Sequence, residues 1–131
     1  MGIGRKMTLF CAGGTIYVAL ELLWRGRSHS SMFLAGGSSF MLLGKVGQST
    51  KNPGLQALGG AGVITAVELA AGFLFNRSHR IWDYRNLPCN LKGQICLPFS
   101  LLWVPVGQAG IWIYEKFDRI LSKITQKPLD K

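Results

Sequence analysis

Acidic residues are scarce in this chain. Its 131 residues carry six Asp and Glu against 15 Lys and Arg, a formal net charge of +9. Cysteine is scarcer still. Cys11, Cys89 and Cys96 form no C-x-x-C pair and no zinc spacing, and their odd number argues against a disulfide framework. Cys11 reads as a small buried hydrophobe, and Cys89 and Cys96 as packing thiols that would pair only on an oxidising side. The pattern G-x-x-x-x-G-K-[ST] is missing, so ATP hydrolysis by a phosphate loop is excluded. No Ser–His–Asp arrangement follows from the spacings, and no cofactor is required. No small-x-small cleavage pattern follows the first apolar run, which ends Glu21-Leu22-Leu23-Trp24-Arg25. That run is expected to be kept as a membrane helix rather than removed as a signal.

Apolar length is what the chain does have. Stretches without Asp, Glu, Lys or Arg cover residues 7–20, 28–44, 54–67, 69–76 and 93–114. The bilayer core needs about 20 residues of helix. Three segments come close once their glutamates are tolerated, and the second is shorter, suited to a tilted, re-entrant or buried position. This much apolar length in a small chain would be hard to hide from water. The expectation is an all-α, polytopic membrane protein, a compact bundle of about four transmembrane helices at 8–24, 31–46, 54–75 and 93–114. A basic tail at 115–131 would close a single membrane domain, 1–131. The basic residues sit beside or between the apolar runs, as headgroup anchors do. They form no continuous stripe, so nucleic acid is not expected as a partner.

With four spans both termini share a side. That side would carry Arg5, Lys6, Lys45, Lys51 and the five basic residues of the tail, against six on the other. The positive-inside rule then places both ends in the cytoplasm. Glycine is abundant, 17 residues, and Gly13-Gly14, Gly36-Gly37, Gly59-Gly60-Ala61-Gly62, Gly107 and Gly110 fall inside the expected helices. In lipid such residues let helices pack closely, so a tight bundle and self-association are expected. Pro98 and Pro105 are expected to bend the fourth helix.

Two glutamates lie within the apolar runs. A carboxylate at bilayer depth costs roughly 2.5–3.5 kcal/mol by insertion scales, so each needs a partner, water or a function. Glu21 is one turn from Arg25, with Tyr17 a turn earlier. Glu68 is deeper, and Thr65 is its only polar neighbour on its own helix. Its partner must come from another helix or loop, or the acid carries its proton. A faint internal echo accompanies the pair. Gly13 precedes Glu21, and Gly60 precedes Glu68, by the same interval, and Arg27-Ser28-His29 and Arg77-Ser78-His79 follow. Parallel repeats of this kind frame binding sites in transporters. His29 and His79 could join the acids in a polar cluster, although solvated loop histidines are the default and no metal spacing exists. The stretch from Trp82 through Asp83, Tyr84 and Pro88 to Asn90 reads as a structured re-entrant loop or as a lid. Asn76-Arg77-Ser78 fits a glycosylation acceptor. The candidate polar-site residues are Glu21, Glu68, Arg25, Arg27, His29, Asn76, His79, Trp82, Asp83, Tyr84 and Asn90.

The runs Tyr17-Val18-Ala19-Leu20-Glu21, Trp24 to Met32 and Gly36-Gly37 resemble the ABC-transporter type IV, or CmpB-like, family. So do Thr65-Ala66-Val67-Glu68, Gly72, Asn76, Trp82-Asp83-Tyr84, Pro88, Asn90, Gly93-Gln94-Ile95-Cys96, Phe99-Ser100 and Trp103. The resemblance covers roughly residues 10–105. It implies a small multi-helix membrane protein, permease-like, working with a separate ATPase. Four short spans enclose a route only with help, so a homo-oligomer or a partner membrane subunit is implied as well. Three function classes follow. The first is a permease or channel-type subunit whose acids bind a cation, proton or cationic substrate. The second is a membrane enzyme acting on lipid, with Glu21 or Glu68 as base and Arg25, Arg27 or Arg77 on phosphate. The third is a holin-like pore or scaffold in which the acids only stabilise assembly.

Overall fold

The computed structural model describes residues 2–126. The chain forms α1 (Ile3–Arg25), α2 (Ser30–Ser49), α3 (Pro53–Phe75), a minimal hairpin of β1 (Asn90–Leu91) and β2 (Ile95–Cys96), and α4 (Leu97–Gln126). The helix boundaries follow from local chemistry. Gly26 ends α1 in the left-handed conformation, φ 74°, and returns its N–H to the Leu22 carbonyl. The His29 ring accepts from the Ser31 N–H and starts α2. Asn52 caps α3 by accepting from the N–H groups of Gly54 and Leu55, with Pro53 in the first turn.

Three of the four helices are long and apolar enough to cross a membrane: Ile3–Arg25, Pro53–Phe75 and Leu97–Ile124. Their outward faces carry Leu23, Trp24, Leu58, Leu74, Leu101 and Trp112, all well exposed. In water that surface would be unfavourable; against lipid tails it is the expected one. α2 is the exception and has a different role. Its 20 residues reach about 30 Å, but Met32, Gly36, Gly37, Phe40, Leu43, Gly44 and Gly47 are buried along its length. It packs on α1, α3 and α4. Its Gly-rich face lies against the other three helices, while Leu34 and Leu42 keep an outward face exposed.

Glycine sets two helix crossings. A Cβ on Gly36 would meet the Tyr17 side chain and the Gly13 carbonyl, and one on Gly107 would lie 3.2 Å from the Gly60 carbonyl carbon. So α1 crosses α2 at Gly13 and Gly36, and α3 crosses α4 at Gly60 and Gly107. Three apolar clusters fill the interior. Leu9, Phe40 and Tyr114 lie toward the termini. Leu43, Ile64, Trp103 and Ile111 occupy the middle. Met32, Ala71 and Trp82 lie under the loop that follows α3.

The fourth helix departs from expectation at both ends. It starts at Leu97 rather than Gly93, because Gly93 (φ 70°) and Gln94 belong to the hairpin. Pro98 therefore sits in the first turn, where its missing N–H disturbs nothing, and Pro105 is the one inside the helix. At the other end the helix runs on to Gln126, so the expected tail is helical over residues 115–126. Arg5 of α1 clamps it there, donating to the Asp118 carboxylate through Nε at 3.0 Å and also to the Asp118 carbonyl. The remainder of the expected tail, residues 127–131, lies outside the described residues. Cys11, expected to be buried, is exposed, and Cys89 and Cys96 are free thiols.

Candidate functional site

Asn76 ends α3 and is fully buried. Its Oδ1 accepts from the Ile81 N–H at 2.8 Å, and its Nδ2 donates to the Trp82 carbonyl at 2.7 Å and to Gln94 Oε1 at 3.0 Å. Gln94 returns the bond to the Asn76 carbonyl at 2.9 Å, and the Trp82 indole N–H donates to the Gln94 carbonyl at 2.9 Å. This clasp ties the loop and hairpin onto α3. Gly72 leaves the space in which the Gln94 side chain lies. An Asn so enclosed is closed to glycosylation, and the Asn76-Arg77-Ser78 pattern has a structural meaning instead.

The clasp presents Tyr84 to Glu68. The Tyr84 hydroxyl donates to Glu68 Oε2 at 2.7 Å, and the Trp103 indole N–H of α4 donates to Oε1 at 3.2 Å. The Glu68 partners therefore come from a loop and another helix, and both are neutral. Burial and the neighbouring acid push the Tyr84 phenol far above its usual range, so it remains a donor throughout the working pH range. Thr65, the local candidate, pairs with Ser100 at 3.0 Å instead. Tyr84 stacks on Phe99 with ring centroids 4.7 Å apart, and Phe99 leads to Trp103 at 6.2 Å.

Glu21 is satisfied differently. Arg25 Nε donates to its Oε2 at 2.7 Å and Nη2 to its Oε1 at 2.6 Å, a two-pronged pair. Arg25 Nη1 also donates to the Ile81 carbonyl at 2.7 Å, tying α1 to the loop after α3. Tyr17 lies one turn before Glu21 on the same helix.

A cavity of about 390 Å³ lies between the helices, lined by residues of all four. Its walls are overwhelmingly apolar, among them Ile16, Leu43, Ile64, Val67, Val106 and Ile113. Glu68, Tyr17, Arg25, Tyr84, Trp82 and Trp103 also line it, at the loop end. The expected polar interior is thus an apolar chamber with one acid among aromatic rings.

The other expected site residues are dispersed. His29 caps α2, and His79 Nε2 bonds the Lys92 carbonyl at 3.0 Å, so neither histidine joins the acids. Asp83 pairs with Arg85 at the surface, and that guanidinium holds the Asp83 carboxyl down at about 2. Asn90 braces the hairpin by donating to the Arg85 and Leu87 carbonyls. Arg27 is exposed beside the end of α1. Among the described residues no three His, Cys, Asp or Glu side chains converge as metal ligands. Sequence reasoning passed over Trp103 and Gln94 as site residues. Each lies far along the chain from the group it serves, and the aromatic spacing of α4 alone reads as packing.

A family model described as "Putative ABC-transporter type IV" matches residues 30–130. The chain belongs to that family. The match takes in α2, α3, the clasp and α4, hence Glu68, Tyr84 and Trp103. It leaves out α1 with Glu21 and Arg25, which the resemblance had included. No curated protein and no solved structure matches the chain. Membership of the type IV family, together with three membrane-length helices, makes this a membrane protein related to transport.

Proposed function

We propose that the protein is a permease-type membrane subunit whose interior cavity binds an apolar molecule carrying a single positive charge, with Glu68 as the group that contacts the charge. One observation carries this reading. Glu68 faces an apolar chamber of about 390 Å³ and is held only by neutral donors, whereas the other buried acid is already paired with an arginine. An acid without a cationic partner among apolar walls attracts a cation strongly. Tyr17, Trp82, Tyr84 and Trp103 bring aromatic rings to the cavity wall, which favour a cation further.

The chain has no phosphate loop, so energy would come from a separate ATPase subunit. Four helices are few to enclose a substrate route, which supports assembly with a second copy or a partner subunit. The basic excess at the terminal end supports cytoplasmic termini.

The test is flux of a lipophilic ammonium in liposomes carrying the wild-type protein or Glu68→Gln. Lost flux with unchanged assembly supports the reading. Intact flux with lost turnover of a bilayer lipid would favour a lipid-acting enzyme. Loss of the folded assembly would favour a scaffold role for the acid.

A further inference from the structure

The arginines at the loop end of the bundle divide into two groups. Arg25 holds Glu21 and the Ile81 carbonyl, Arg77 donates to the Phe73 carbonyl at 2.7 Å, and Arg85 holds Asp83. Arg27 and Arg80 have neither an ion pair nor a hydrogen bond among the described residues. They come from different segments, the α1–α2 connection and the loop after α3, yet they line the same pocket of about 290 Å³. Ser28, His29 and Ser78 line it with them, and Phe75 and Ile81 supply apolar wall. The first Arg-Ser-His triplet thus meets Ser78 of the second, with Arg80 just beyond it, in one place.

The geometry points to a phosphate-binding site in this pocket, formed by Arg27 and Arg80 with hydroxyls from Ser28 and Ser78. Two guanidinium groups suit a tetrahedral oxyanion, each able to donate two parallel bonds. Among the described residues no carboxylate lines the pocket, and Glu21, the partner of the lining Arg25, is neutralised by it. The position favours a phospholipid headgroup. α1 and α3 end here, and the exposed Leu23, Trp24, Leu74 and Phe75 lie just below, at the level where acyl chains begin. Arg25 lines both this pocket and the central cavity, so the two adjoin. The assignment does not rest on cation binding at Glu68.

The test uses the full chain in a zwitterionic detergent, titrated separately with dioctanoyl phosphatidylglycerol and with inorganic phosphate, and read by native mass spectrometry. Wild type should retain one phosphate-bearing adduct, and Arg27→Gln/Arg80→Gln should weaken it by about tenfold or more. Both side chains are exposed, so the fold should survive, and circular dichroism checks that it has. Arg27→Lys/Arg80→Lys should recover only part of the affinity, because the charge returns without the forked donors. Tighter binding of the lipid than of inorganic phosphate identifies a headgroup as the source. Equal binding identifies the phosphate ion. The assignment is overturned if the double Gln variant binds as wild type does, or if the charge-matched control Arg77→Gln/Lys92→Gln loses as much.

Discussion

Glu21 and Glu68 occupy equivalent places in the two helix pairs, each eight residues beyond a glycine at a helix crossing. They are nevertheless satisfied by opposite means. Glu21 has a two-pronged arginine from its own helix. Glu68 has a phenol and an indole from elsewhere. The arginine makes Glu21 part of an internal ion pair, closed to a further cation and useful as a tie between α1 and the loop. The neutral donors fix the direction of the Glu68 carboxylate without cancelling its charge. On the proposed function, the bundle keeps one acid structural and holds the other for a ligand.

The contrast is broken most forcefully at Arg25. Arg25→Ala strands Glu21, which is 6% exposed at its side chain. Losing one partner of a buried pair costs about 3–5 kcal/mol, and the partial exposure of Arg25 lowers this to about 2–3 kcal/mol. Thermal unfolding in detergent should show the loss, and Glu21→Gln/Arg25→Gln should restore most of it. A single variant as stable as wild type would mean that Glu21 has another partner. Glu68→Gln comes next. Its amide group must face a donor, and the charge-assisted bonds are lost, for about 1–2 kcal/mol. Destabilisation equal to that of Arg25→Ala would erase the distinction between the two acids. Tyr84→Phe removes one donor and should cost about 1 kcal/mol. Trp103 then still holds the carboxylate, so ligand binding should weaken rather than vanish.

The smallest effect concerns Asp83, outside the bundle. Its folded pKa lies below the ordinary value of 3.8, at about 2. Its pairing with Arg85 is therefore complete above about pH 4 and is lost as pH falls toward 2. The Asp83 carboxyl carbon shift, followed by NMR, should titrate in that window. Titration near 4 would show that the surface pair is not formed. Melting temperature should not change between pH 7 and 5 on account of this group.

Much of the architecture could be read from the residues. The apolar runs located the helices, while the capping by Gly26, Asn52 and Pro53 came from the structure. Arg25 as the partner of Glu21 was visible, since one helical turn relates them. That Glu68 needs a partner from elsewhere was also legible, because its own helix offered only Thr65. Which partner was not. Trp103 is 35 residues away, and its role depends on the α3–α4 crossing at Gly60 and Gly107, which a linear pattern does not specify. The start of α4 was misplaced because the apolar run continues through a hairpin too short to give an alternating pattern. The helical course of residues 115–126 was missed for a related reason. Its basic residues suggested a tail, while the clamp from Arg5 comes from the far end of the chain.

The most direct measurement uses tryptophan fluorescence in nanodiscs. Trp24 and Trp112 face outward and are replaced by Phe, leaving Trp82 and Trp103, which line the cavity. A bromobenzyl trialkylammonium should quench these two saturably, and Glu68→Gln in the same background should abolish the saturable phase. Equal quenching of both proteins, or none in either, would contradict a cation-binding acid inside the bundle.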